Sequence, residues 1–107
     1  MTNREIFAWH SLLPPEIVRQ AFHSYEEMAW TRPVAEQVIN LLQAKGYKIV
    51  RIDTWLPTTP GPTPLIRDWD DTRAISALDF VKTFDPENKL GESLGLETYF
   101  NIDAERA

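Results

Sequence analysis

Gly91-Glu92-Ser93-Leu94-Gly95 fits the G-x-S-x-G pattern, in which a nucleophilic serine sits on a sharp turn between a strand and a helix. That elbow needs an apolar strand before it, a helix after it, and an acid and then a histidine later in the chain. Here the turn-like stretch Asp85–Lys89 precedes it and a strand-like stretch follows. Both histidines, His10 and His23, come before Ser93. Gly91 and Gly95 read instead as hinges of a loop leading into a final strand. Metal chemistry is no better served: His10 and His23 stand thirteen residues apart, with no His-x-x-x-His pair, and the chain has no cysteine. Asp68, Asp70 and Asp71 crowd three carboxylates together, but no glycine pivot or distal glutamate completes a calcium loop. No phosphate-cradling glycine motif occurs among the four glycines. The expectation is a protein that is not an enzyme and carries no cofactor.

What remains is tryptophan and carboxylate around a rigid loop. Trp55 ends an alternating stretch, and Pro57–Pro64 follows with four prolines and one glycine in eight residues. Trp69 then stands among Asp68, Asp70 and Asp71. Tryptophan is enriched at interface hot spots because it buries a large area while freezing few rotamers. A proline-stiffened loop lowers the ordering cost of presenting it. Outward carboxylates suit a partner surface rich in Arg and Lys. Two structural readings stand beside this one: Trp55 and Trp69 fill the core, and Asp70 or Asp71 caps the following helix.

The elements that must hold these residues follow from local pattern. Pro14-Pro15 suits a helix entrance, and Ile17, Val18, Ala21 and Phe22 then recur at helical spacing. A second helix is the clearest: Thr31 as cap, Pro33 in the first turn, Val34, Val38, Leu41 and Leu42 on one face, Lys45 in the last turn and Gly46 as the stop. Tyr47–Leu56 alternates and is rich in β-branched residues, so it reads as a strand with Ile49 or Val50, and then Ile52, inward. Pro57–Pro64 reads as neither sheet nor helix. Leu65–Trp69 reads as a short strand, Asp70–Pro86 as a third helix with Ile75, Leu78 and then Val81 or Phe84 inward, and Leu96–Glu105 as a closing strand. In that strand Leu96, Thr98, Phe100 and Ile102 share one face and Tyr99 lies on the other. The order helix, helix, strand, strand, helix, strand predicts an α/β (α+β) fold. It would be a single domain over residues 1–107, with a small mixed or antiparallel sheet of three to four strands packed against helices.

Composition supports a packed chain: 107 residues, 43% hydrophobic and 11% aromatic. No apolar run approaches the roughly 20 residues that span a bilayer, and no signal peptide is visible, so a cytoplasmic protein with no membrane partner is expected. The net charge of −5 is uneven, with residues 1–52 at +1 and residues 53–107 at −6. Direct nucleic-acid binding needs a basic surface and is not expected. An acidic half can steer a basic partner instead.

Residues 28–57 (MAWTRPVAEQVINLLQAKGYKIVRIDTWLP), followed by Arg67-Asp68-Trp69, Ile75–Phe84 and Glu97–Ile102, resemble a known family. The pattern is Ala29-Trp30-Thr31 before an apolar helix, then glycine, then a strand ending in Asp53 and an aromatic residue. Trp69 follows an extended stretch, Ser76, Ala77 and Phe80 lie in a helix, and Tyr99 and Phe100 lie in a last strand. This is similar to the immunity proteins of bacterial polymorphic-toxin systems, including contact-dependent growth inhibition, and to the immunity protein 40 group in particular. Arg51 and Ile52 stand where that group often has two glycines, and the long proline insert is unusual for it. The resemblance implies a protein that binds one toxin C-terminal domain, its cognate partner, and blocks it, with no catalysis of its own. Taken with the acidic half, it implies a basic toxin such as a nuclease and a partner-binding set of Asp53, Trp55, Asp68, Trp69, Asp70 and Asp71. A competing expectation is an adaptor that binds a housekeeping protein through the proline loop; a small hydrolase using Ser93 or a carboxylate is a third.

Overall fold

Gly46 takes φ 85°, a left-handed conformation that costs glycine little and other residues more, and it turns the chain out of its longest helix into its longest strand. The computed structural model describes residues 8–65, 67–85 and 95–107. A 3-10 turn, Ala8–Leu12, is followed by α1 (Pro15–Arg19), β1 (Phe22–Ser24), β2 (Glu27–Trp30), α2 (Arg32–Ala44) and β3 (Tyr47–Leu56). Then come β4 (Thr63–Pro64), β5 (Trp69–Asp70), α3 (Ala77–Thr83) and β6 (Tyr99–Arg106). The class is α+β in a single domain. All the described pairings are antiparallel, in the order β1-β2-β6-β3-β4, with β5 also on β3.

The sheet has six described strands rather than three or four. The largest difference lies at residues 20–30. Helical spacing extends from Ile17 to Phe22, yet α1 stops at Arg19 and the chain folds into the β1–β2 hairpin. Pairing with β6 outweighs that weak local preference, since β2 sets Ala29 against Asn101 and Trp30 against Phe100. The proline stretch also contributes: its last two residues form β4 at the edge of β3, where proline's missing N–H is tolerated. Thr58 ties the loop, its hydroxyl donating to the Gly61 carbonyl at 2.7 Å and lying 2.6 Å from the Thr63 hydroxyl.

α2 occupies the span expected of it. Thr31 holds the cap position without a side-chain hydrogen bond, and Val34, Ala35, Val38, Ile39 and Leu42 are buried. β3 matches Tyr47–Leu56, with one irregularity. The register shifts between Ile49 and Arg51, so Val50 is an extra residue. That bulge brings Ile49 and Ile52, three apart, onto one face, which strict alternation forbids. α3 starts at Ala77, not near Asp70, because Ser76 caps it by accepting from the Asp79 amide at 3.1 Å.

The core lies on one face of the sheet. Trp9, Leu13 and Ile17 pack there with the inward residues of α2 and α3 and with Trp30, Ile52, Phe100 and Ile102. Trp30 is fully buried, and its indole N–H donates to the Ile17 carbonyl at 2.9 Å, so α1 is fixed by a satisfied polar group as well as by packing. Every helix among the described residues contributes its buried side chains to this one face.

Candidate functional site: the second face of the sheet

Antiparallel register lines up the residues of the opposite face in rows. One row runs Asp53, Asn101, Ala29, Phe22 across four strands. Two residues further along, Asp70, Arg51 and Asp103 form the next row, and Glu27 extends it opposite Ser24. On the other side of the first row, Trp55 pairs with Tyr99. Beyond the bulge, Lys48 pairs with Glu105.

The two ends of this face differ chemically. At one end Phe22, Trp55 and Tyr99 cluster: the Phe22 ring is edge-on to Trp55 at 6.5 Å between centroids and tilted against Tyr99 at 5.9 Å. At the other end, carboxylates surround one guanidinium. Arg51 donates to Asp53 at 3.0 Å and has an Asp68 oxygen 4.0 Å away. Its pKa is raised, first by the hydrogen bond to Asp53 and then by that residue's charge.

Glu27 and Asp103 are less well served. Partial burial raises the pKa of Glu27, and the charges of Asp53 and Asp103 raise it further. Asp103 is raised by its own desolvation and by Glu105 and Asp53, against an opposing hydrogen bond from the Ala104 amide. Desolvation first, and then the charge of neighbouring carboxylates, makes each favour the proton more than it would in water.

The structure separates the six residues proposed from sequence. Asp53, Trp55 and Asp70 lie on this face. Asp68 is exposed beside Arg51, and its carbonyl accepts from Arg73 at 2.6 Å. Asp71 is exposed and bridges Lys48 at 3.2 Å, while Glu105 reaches the same ammonium at 3.6 Å. The Lys48 pKa is raised, first by its hydrogen bond to Asp71. Trp69 points the other way. It pairs with Ile52 on the core face, is 5% exposed, and donates its indole N–H to the Ile75 carbonyl at 2.7 Å. The core reading therefore describes Trp69. Trp55 is also buried, at 8% exposed, but on the second face.

Neither Asp70 nor Asp71 caps a helix. Asp70 accepts from the Thr72 amide at 2.9 Å and from the Thr72 hydroxyl, and these bonds lower its pKa. Ser93 of the apparent elbow lies outside the described residues. Among the described residues no group of three or more His, Asp or Glu side chains is placed to hold a metal ion.

Sequence reasoning missed Phe22, Glu27, Arg51 and Asp103. One signal was available: Arg51 and Asp53 are two apart on a predicted strand and must share a face. Glu27 and Asp103 become neighbours only through pairing across β2 and β6. On the core side, Arg67, Asp68, Arg73, Phe80, Phe84 and Asp85 help line an open cleft of about 390 Å³, in which the Arg73 guanidinium lies 5.9 Å from the Phe80 ring centroid.

The chain matches no family model, no curated protein and no solved structure. No described helix is long and apolar enough to cross a membrane.

Proposed function

We propose that this chain is a stoichiometric inhibitor of a bacterial toxin domain, of the immunity-protein kind, that captures a basic toxin on the second face of its sheet. The observation that carries the reading is the pairing on one face of an aromatic cluster, with Phe22 and Tyr99 partly exposed over buried Trp55, with carboxylates outnumbering their cations. Aromatic area supplies burial, and uncompensated carboxylates supply attraction to Arg and Lys. The order of motifs shared with immunity protein 40, from Ala29-Trp30-Thr31 to Tyr99-Phe100, supports the class, and the balance of −6 over residues 53–107 supports a basic target such as a nuclease. Such a complex would bury about 1,600 Å² in total. Carboxylates lying where phosphates otherwise bind would block substrate directly.

The test is co-expression with the C-terminal domain encoded immediately upstream, followed by size-exclusion chromatography. The expected result is a one-to-one complex and survival of cells carrying an otherwise lethal domain. A toxin domain that kills regardless and elutes alone would reject the proposal, and a search for a housekeeping partner of the proline loop would follow.

A further inference from the structure

The tip of the β1–β2 hairpin is built against its own local preference. Ser24 pairs with Glu27, so Tyr25 and Glu26 form a two-residue loop. Loops of this length place residues at positive φ, which is why Gly, Asn and Asp dominate them. Here the position is taken by tyrosine: Tyr25 has φ 56°, the one non-glycine at positive φ among the described residues. Its side chain gives the fold nothing in return, since the residue is 103% exposed and so shields no apolar area from water. Scattered surface aromatics are ordinary, but one that combines full exposure with a disfavoured backbone conformation is not explained by folding.

Its surroundings indicate what it meets. Glu26 is exposed beside it, Glu27 stands behind it on the second face, and Phe22 starts the same hairpin on that face next to Trp55 and Tyr99. The tip is therefore continuous with the aromatic and acidic face, and it projects the largest fully exposed ring there.

Resting on the inhibitor reading above, we infer that Tyr25 is the anchor of the interface: its ring enters a cleft of the protein partner whose walls are basic, while Glu26, Glu27 and Asp103 face the cations around that cleft. A tyrosine suits this role because it brings a large rigid area with few rotamers to freeze and a hydroxyl that can bond inside a polar cleft. Charge complementarity commits the occupant: Glu26 and Glu27 at the tip, with Asp103 near Glu27, put negative charge around Tyr25 that a basic wall meets best.

The experiment compares the full chain with Tyr25→Asn and Tyr25→Trp, measuring the thermal midpoint of each alone and its Kd for the upstream-encoded toxin domain. Asparagine tolerates the left-handed conformation, so Tyr25→Asn should keep or raise Tm by a few degrees while weakening binding about 30-fold or more. Tyr25→Trp should keep binding within roughly tenfold, because the ring area is retained. Opposite signs in stability and affinity are the signature of a residue kept for a partner. Binding by Tyr25→Asn within about twofold of the parent would overturn the anchor and leave the inhibitor reading standing. A fall in Tm matching the loss of binding would overturn it too, as a structural role. Failure of the unmodified chain to bind the toxin would remove both inferences together.

Discussion

The two faces of this sheet are made by the same strands, residue by residue in alternation, yet they solve opposite problems. The face under the helices is apolar and closed, and the buried polar groups on it are satisfied: Trp30 by Ile17, Trp69 by Ile75, and Thr54 by the Arg67 carbonyl. Trp9 is the exception, since its buried indole N–H has no partner among the described residues. The second face keeps Asn101 satisfied through the Met28 carbonyl at 2.9 Å, but it crowds Glu27, Asp53 and Asp103 against one arginine and leaves the Phe22 and Tyr99 rings partly exposed. One face lowers the free energy of the fold. The other holds charge in a way the fold alone does not favour.

The sharpest separation comes from truncating the closed face. Leu42→Ala should lose about 2–5 kcal/mol in urea unfolding, through lost transfer energy and the cavity left behind, while the association rate with a partner stays unchanged. A large change in rate would mean that the faces are coupled.

Acid should act on the two faces with opposite sign. His10 sits edge-on to Trp9 at 4.2 Å on the core side, and burial first, then the nearby His23, lowers its pKa from 6.5 to about 4. The unfolded chain then binds the proton more readily, so this contribution is fully present above pH 6.5 and is lost as pH falls towards 4. The loss is below about 3 kcal/mol once partial solvent screening is allowed for. Raised carboxylates behave in reverse: Glu27 and Asp103 oppose folding when ionised, and protonation on acidification relieves that. Unfolding curves of His10→Gln across this range should lose the destabilising limb; an unchanged pH profile would place the sensitivity elsewhere.

Gly46→Ala probes a site that belongs to neither face. A Cβ there meets nothing within 4 Å, so the expected loss of about 1–2 kcal/mol comes from the left-handed backbone alone. Thermal melts would check it, and a loss above that range would mean that α2 and β3 also shift.

The smallest effect on stability, with a clear effect on recognition, belongs to Glu27→Gln with Asp103→Asn. Stability should rise by no more than about 1 kcal/mol, since these groups remain partly exposed. Association with a basic partner should slow roughly tenfold at low salt and become less salt-dependent. Stopped-flow measurements over a salt series would decide it; a falling stability would reverse the assignment of the second face.

Much of the frame was legible locally. α2 carries its own proline start, apolar stripe and glycine stop, and β3 carries β-branched alternation, so neighbours in sequence fix both. The closing strand followed the same rule, with Phe100 and Ile102 inward and Tyr99 outward. The β1–β2 hairpin was not legible, because Ile17 to Phe22 satisfies a helical period and the Tyr25-Glu26 loop contains none of the residues that mark a tight turn. β4 was hidden by prolines that only an edge strand accepts.

The candidate site divides in the same way. By itself the sequence determined that carboxylates and tryptophans gather in residues 53–71 and that Arg51 and Asp53 share a face. Only the tertiary structure decided that Trp69 turns into the core while Trp55 does not, since a strand's two faces are equivalent until a register assigns one to the helices. It also decided that Glu27 and Asp103, far apart in the chain, become neighbours across β2 and β6. Local pattern fixes which conformations a segment favours, and pairing fixes what each side chain meets.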